Sequence, residues 1–237
     1  NYNTVVGDEA GTALTTGDDN VAIGFEALST EDTGTRAVAV GYRALKTQNN
    51  DSTNYNIAIG YDAGLSVTTG TQNVIIGGKA GDALTVGDDN VAIGRAALTT
   101  DTQGSNSTAV GMNALATQNF TSATNSDNVA VGYNAGTAIT TGVQNTILGA
   151  LAGDALTTSS RNVAVGYEAL STATAYNENT AVGYRALRVN TDGYSNTAVG
   201  VNSLLANTTG HSNVAVGHAA GTAVTTGDEN VIIGMNA

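Results

Sequence analysis

Few side chains in this sequence are of the kinds that do chemistry. The two histidines, His211 and His218, lie close in sequence, with no cysteine anywhere in the chain and no distinguished acid beside them. That spacing is not a metal signature, so each reads as a structural or surface residue. Acidic pairs recur at Asp18-Asp19, Asp88-Asp89 and Asp228-Glu229, each after a glycine. Calcium takes clustered oxygen ligands, but the glycine-aspartate nonapeptide of calcium-binding rolls is absent, so the pairs read as solvated corners. Threonine pairs such as Thr15-Thr16, Thr140-Thr141 and Thr225-Thr226 would suit an ice-binding surface only as an unbroken grid, and they mostly skip repeats. No phosphate-binding loop of the glycine-lysine type occurs. The expectation is a protein that is not an enzyme, with no catalytic residue, no metal ligand and no cofactor.

Recognition has better candidates. An aromatic residue follows a recurring glycine at Phe25, Tyr42, Tyr61, Tyr133, Tyr167 and Tyr184. Such a stripe either stacks on sugar rings or packs against a neighbouring subunit, and packing is the favoured reading. Two insertions, near 46–55 and 116–127, carry Asn49, Asn50 and Tyr55 in one and Asn119, Phe120 and Asn125 in the other. Loops on rigid scaffolds often carry binding; neutral loop growth is the alternative.

These positions are set by a clock. Glycine closes a five-residue word at Gly7, Gly24, Gly41, Gly60, Gly77, Gly94, Gly111, Gly132, Gly149, Gly166, Gly183, Gly200, Gly217 and Gly234. Every gap equals that from Gly7 to Gly24 except two, from Gly41 to Gly60 and from Gly111 to Gly132, which are slightly longer. The chain of 237 residues is thus one array of about 14 coils, expected to be a segment of a longer fibre because both ends stop inside a repeat. Seventeen residues, the regular period, are too few for a helical-hairpin repeat. Within the word, Val, Ile or Leu precedes the glycine, Val, Ile or Thr stands two places earlier, and mostly Ala lies between. That alternation is a short β-strand. Asn opens twelve of fourteen words, Ala37 and Ser107 excepted, and stacked Asn corners would pair from coil to coil. The fold class expected is therefore all-β, a parallel β-solenoid, its thirteen steps spanning roughly 60 Å at the strand spacing of a sheet. Val and Ile are expected inside, and the Ala face is expected to lie against a partner.

Beyond the strand, each coil supplies one more aliphatic. Four places after the closing glycine stands Leu in seven coils, for example Leu170, or Gly in six, for example Gly153. The Gly coils carry the aliphatic three places later, as at Leu156. Two backbone routes meeting one interior requirement are expected. A second glycine, ten places after the first in nine regular coils, reads as a second turn.

The words NVAIG, NVAVG and NTAVG resemble the signature of trimeric autotransporter adhesin heads. The longer forms Asn162–Leu170 and Asn179–Leu187 also look like repeats of phage tail-fibre and virion-surface proteins. The resemblance implies a left-handed parallel β-roll and a side-by-side homotrimer. It also implies an extracellular, cell-surface or virion location and attachment to a host glycan or protein receptor. The adhesin coil is shorter, and the neck, heptad stalk and anchor of that family are absent from these residues. With a formal charge of −12 and eight Lys plus Arg, phosphate neutralisation is unsupported, so no nucleic-acid partner is expected. No apolar run reaches the roughly 20 residues of a membrane span, so no membrane insertion is expected. The function expected is a non-catalytic structural or adhesive fibre segment. The alternatives are a purely structural self-assembling filament subunit and, behind it, an ice- or mineral-binding solenoid.

Overall fold

The computed structural model describes residues 2–173 and 177–237. The chain divides into two compact units, Asn1–Ser126 and Asp127–Ala237. Among the described residues there is no helix. Each unit is a parallel β-solenoid.

In the first unit the strands are Thr4–Val6 (β1), Val21–Ile23 (β2), Val38–Val40 (β3), Ile57–Ile59 (β4), Val74–Ile76 (β5), Val91–Ile93 (β6) and Thr108–Val110 (β8), paired in chain order. Thr4 lies opposite Val21 and Val74 opposite Val91, each one regular period on. Across the first insertion Val38 still meets Ile57, so the extra residues are absorbed outside the sheet. Gly104–Ser105 (β7) pairs with Thr124–Asn125 (β9), which ties down the second insertion. The second unit repeats the plan in Val129–Val131 (β10), Thr146–Leu148 (β11), Val163–Val165 (β12), Thr180–Val182 (β13), Thr197–Val199 (β14), Val214–Val216 (β15) and Val231–Ile233 (β16), each parallel to the next at the regular period.

Three columns make this stacking possible. The first is asparagine. The backbone N–H of Asn162 donates to Asn145 Oδ1 at 3.0 Å, and Asn179 donates likewise to Asn162 Oδ1 at 3.0 Å. The side-chain amide donates in turn to a carbonyl of the coil above, as Asn145 Nδ2 to Ser159 O at 2.8 Å and Asn196 Nδ2 to Gly210 O at 2.8 Å. These asparagines are fully buried, so every bond formed avoids an unsatisfied polar group worth about 1–3 kcal/mol. Most amide-to-amide contacts in the column are longer, such as 3.3 Å from Asn196 to Asn179, the one from Asn230 to Asn213 being 2.8 Å.

The second column is the closing glycine. Gly149 has φ 135°, and a Cβ there would meet the carbonyl of Gly166 in the next coil. Both the conformation and the close approach exclude a side chain. The second glycine differs from expectation. At Gly17 and Gly70 the backbone is not left-handed, and what excludes a side chain is the carbonyl of the coil above, from Gly34 and Gly87 respectively.

The third column is the interior, and here two expectations are corrected. The strand's middle residue points inward: Ala22, Ala39, Ala109, Ala164 and Ala198 are fully buried. The flanking Val, Ile and Thr residues face outward and are half-buried to exposed, Leu148 being 47 % exposed. The small face is the inner one because the coil is thin and its two walls lie close.

The Leu and Gly coils also share one backbone rather than two. Leu28 has φ 50° and Gly11 φ 51°; Leu170 has φ 52° and Gly153 φ 51°. What alternates is the side chain that fills the slot. A Cβ on Gly153 would stand 2.8 Å from Leu156 Cδ1 and 3.0 Å from Ile147 Cδ1. Leu156 therefore swings into the volume that Leu170 occupies in its own coil, and both leucines are fully buried, as expected. Where Leu holds the slot, the position three places on is free for a polar group or alanine: Glu31, Gln48, Asp101, Gln118, Ala173, Asn190 and Asn207, all fully buried. Where Gly holds it, a larger aliphatic replaces Ala in that strand or the next one: Ile at Ile75, Ile147 and Ile232, and Val at Val5.

Candidate functional site

The aromatic residues emerge just past the outer face of the sheet, one coil step apart. Phe25 and Tyr42 stack with ring centroids 5.4 Å apart at 17°, and Tyr42 and Tyr61 at 5.2 Å and 5°. Tyr167 and Tyr184 repeat the arrangement at 5.7 Å and 12°. Parallel register forces this, because the residue after each closing glycine must lie above its equivalent. All five rings remain more than a third exposed, with Tyr61 at 53 %. Tyr133 is equally open, but the next coil carries Ala150 at the equivalent position, so it has no ring to stack on in that direction.

Cations finish the ladder. Arg43 lies 5.0 Å from the Tyr42 centroid and grips Asp62 with two bonds of 2.8 Å. Its hydrogen bond to that carboxylate raises the guanidinium pKa further above its ordinary value. Arg185 lies 4.9 Å from the Tyr184 centroid and holds Glu168 at 2.8 Å, with Arg188 on the same carboxylate at 2.7 Å. Burial pushes the Glu168 carboxyl up. The Tyr167 hydroxyl, Arg185 and Arg188 outweigh it and hold the pKa below its ordinary value. Accepting that bond, Glu168 in turn raises the Tyr167 phenol.

The two insertions are less alike than their sequences suggest. Asn49 and Tyr55 are exposed, and Tyr55 accepts a hydrogen bond from Arg36 Nη1 at 3.0 Å. Asn50 is tied inward: its backbone N–H donates to Glu31 at 3.2 Å and its amide to Thr69 O at 2.8 Å. In the second insertion Asn125 is exposed, and Asn119 accepts from Thr102 at 3.1 Å. Phe120 is only 6 % exposed and belongs to the core, so it offers no surface for binding.

Beneath each insertion lies a buried carboxylate. Glu31 is a fully buried carboxylate that accepts from Gly34 N at 2.7 Å, Gln48 Nε2 at 3.1 Å and Asn50 N. Asp101 repeats this with Gly104 N at 3.0 Å, Gln118 Nε2 at 2.6 Å and Phe120 N at 3.1 Å. Each staples the start of an insertion to the coil below it, beside the two words that lack Asn. The signal in the sequence was an acid with Gln at the equivalent place of the next coil, once before each insertion.

The acidic pairs serve the stack. Asp88 Oδ1 accepts from Thr71 N at 2.7 Å, and Asp228 accepts from His211 N at 2.9 Å. His211 also stacks on Tyr194 at 4.6 Å. Among the described residues no three His, Cys, Asp or Glu side chains converge on a common point. No helix among them is long and apolar enough to cross a membrane.

No family model, curated protein or solved structure matches the chain. The geometry itself shows a parallel β-solenoid. Kinship with adhesin heads or phage fibres rests on the recurring word alone.

Proposed function

We propose that the chain is a non-catalytic attachment segment of an extracellular or virion fibre, assembled from copies side by side as a homotrimer. The observation that carries this reading is the outward face of the sheet. Its backbone is fully paired along the stack, yet it presents Ile59, Val129, Leu148 and Val216 to solvent, with the aromatic ladder alongside. Within each unit, a row of outward aliphatic side chains of this kind marks an interaction surface. A second copy is the occupant that matches its repeat in register and length. The partner thus covers the Val/Ile face rather than the Ala face. The word shared with trimeric adhesin heads supports the same stoichiometry and a left-handed roll.

The stiffness of the scaffold supports the attachment role. Coils that hydrogen-bond through side chain and backbone at every step hold the aromatic rows at fixed spacing. Sedimentation equilibrium of the wild type and of Leu148→Glu tests the assembly. The wild type is expected to sediment as a trimer at micromolar concentration and the variant as a folded monomer. A wild type that stays monomeric across that range refutes the assembly.

A further inference from the structure

The aromatic ladder of the first unit is interrupted once in a way that creates a slot. After Phe25, Tyr42 and Tyr61 the next equivalent residue is Gly78, and the one after it is Arg95. A Cβ added at Gly78 would meet nothing within 4 Å. Tyr61, Gly78, Lys79, Arg95 and Ala96 surround a notch of about 230 Å3. Two coil steps separate Tyr61 from Arg95, roughly 10 Å at the strand spacing of a sheet. One ring inserted midway would lie about 5 Å from each wall, close to the 5.2 Å at which Tyr42 and Tyr61 stack. The slot is one ring thick.

Its charge is as specific as its width. Of the eight lysines and arginines, six hold a carboxylate: Arg36 with Asp19, Arg43 with Asp62, Lys46 with Glu26, Arg161 with Glu178, and Arg185 and Arg188 with Glu168. Among the described residues the two without an acidic partner are Lys79 and Arg95, and both line this notch. In a chain of net charge −12, two cations without a carboxylate beside an empty ring position complement an anion: Lys79 adjoins Gly78 in its own coil, and Arg95, whose Nη2 lies 3.2 Å from Met112 Sδ, forms the wall opposite Tyr61.

We propose that this notch binds the ring of an acidic sugar. The apolar face of the pyranose stacks on Tyr61, and its carboxylate takes the planar fork of Arg95 and the ammonium of Lys79. An Arg–carboxylate pair of that kind is charge-assisted and bidentate, and aromatic faces are suited to such apolar ring contacts. The second unit holds a built-in control. Tyr133, Ala150 and Tyr167 sit at the same three positions one long period on. There Leu151 replaces Lys79, and Glu168 flanks the second wall. That copy has the spacing without the two unpaired cations, since Arg185 and Arg188 are both held by Glu168.

The inference rests on the reading that this surface attaches the chain to something glycan-bearing, and the test separates the two. The intact chain is titrated with glucuronate and with methyl glucoside by saturation-transfer NMR. The comparison proteins are Gly78→Tyr, which completes the ladder, and a Lys79→Gln/Arg95→Gln double variant. Glucuronate is expected to bind the wild type at least about tenfold more tightly than it binds either variant, and about tenfold more tightly than the neutral glucoside binds. Equal affinity for the two sugars, or undiminished binding by Gly78→Tyr, overturns the proposal. So does dissociation of the wild-type oligomer on filling the slot, which would make it the seat of a second copy. Adhesion of the wild type and Gly78→Tyr is then compared on a surface coated with uronate glycan. If both adhere equally, the slot is wrong and the attachment reading stands. If neither adheres while glucuronate still binds the notch in solution, the slot stands and the attachment reading fails.

Discussion

Leu170 and Ala173 offer the sharpest test of the interior. In the coil closed by Gly149, glycine holds the first position and Leu156 reaches back to fill its space, 2.8 Å from where a Cβ of Gly153 would be. In the next coil Leu170 fills that space directly and Ala173 stands where Leu156 stood, both fully buried. Leu170→Gly removes a buried leucine, which costs about 2–5 kcal/mol. It also relieves a side chain held at φ 52°, which returns roughly 1–2 kcal/mol. The net loss is about 0–4 kcal/mol. Ala173→Leu alone pushes a second large side chain toward a slot Leu170 already fills and costs about 1–3 kcal/mol. The double variant Leu170→Gly/Ala173→Leu recreates the pattern of the coil below. If both leucines compete for one volume, it should lie within about 1 kcal/mol of the wild type, a strong favourable coupling. Urea unfolding followed by circular dichroism, with unchanged slope across the series, measures the cycle. Additivity of the two single effects within about 0.5 kcal/mol would show that the leucines fill separate spaces and would refute a shared slot.

Two further outcomes follow from the faces and charges of the second unit. Ala164→Phe places a ring in the thin interior, where Ala164 is fully buried, and should cost about 1–3 kcal/mol or more. Thr172→Phe, at an exposed position, should be nearly neutral; equal melting temperatures for the two would refute the assignment of faces. Glu168 is held below its ordinary pKa of 4.5, so its contribution is full above that value and is lost as the pH falls through the depressed folded pKa. Acid titration of stability should therefore be shallower below pH 4.5 in Glu168→Gln than in the wild type; identical profiles would count against the pair with Arg185 and Arg188.

The repeat period, the parallel register and the Asn corner were legible from sequence. Each is dictated at every coil by backbone hydrogen bonding and recurs in the same letter. The direction of the faces was not. Val and Ile were placed inside by the general rule that large aliphatics are buried, but a coil this thin takes Ala at most strand centres, with Ile at Ile75 and Ile147 beside the Gly coils, and the flanking larger residues turn out. The slot exchange between Leu170 and Leu156 was legible as compensation, but its geometry was misjudged. Nothing in the letters says that Leu is held at φ 52° in the place where the other coils use Gly. Among the candidate binding residues the ladder was legible because one residue type recurs in register. The burial of Phe120 was not, because an insertion has no repeat to compare it with. The notch at Gly78 went unseen for the opposite reason, since the information lies in the one coil where the aromatic is missing.

The exchange of Leu for Gly inside the coils also bears on how such a chain can be inherited. Copying a single coil leaves the asparagine and glycine columns unbroken, so duplication in a gene is tolerated by the backbone wherever it falls. The interior is less permissive. A coil such as that of Ile147 copied beside itself would set two isoleucines at successive levels of the same narrow space, whereas Leu coils tolerate a copy of themselves. The coils closed by Gly183 and Gly200 carry the same pairing, Leu187 with Asn190 and Leu204 with Asn207, as a single-coil duplication would leave them. Longer copies must span a whole set of Leu and Gly coils, such as the block from Gly60 to Gly132, which keeps every neighbour intact. Packing of this interior would therefore admit new length in steps of two sizes, one coil among Leu coils or a whole block of Leu and Gly coils.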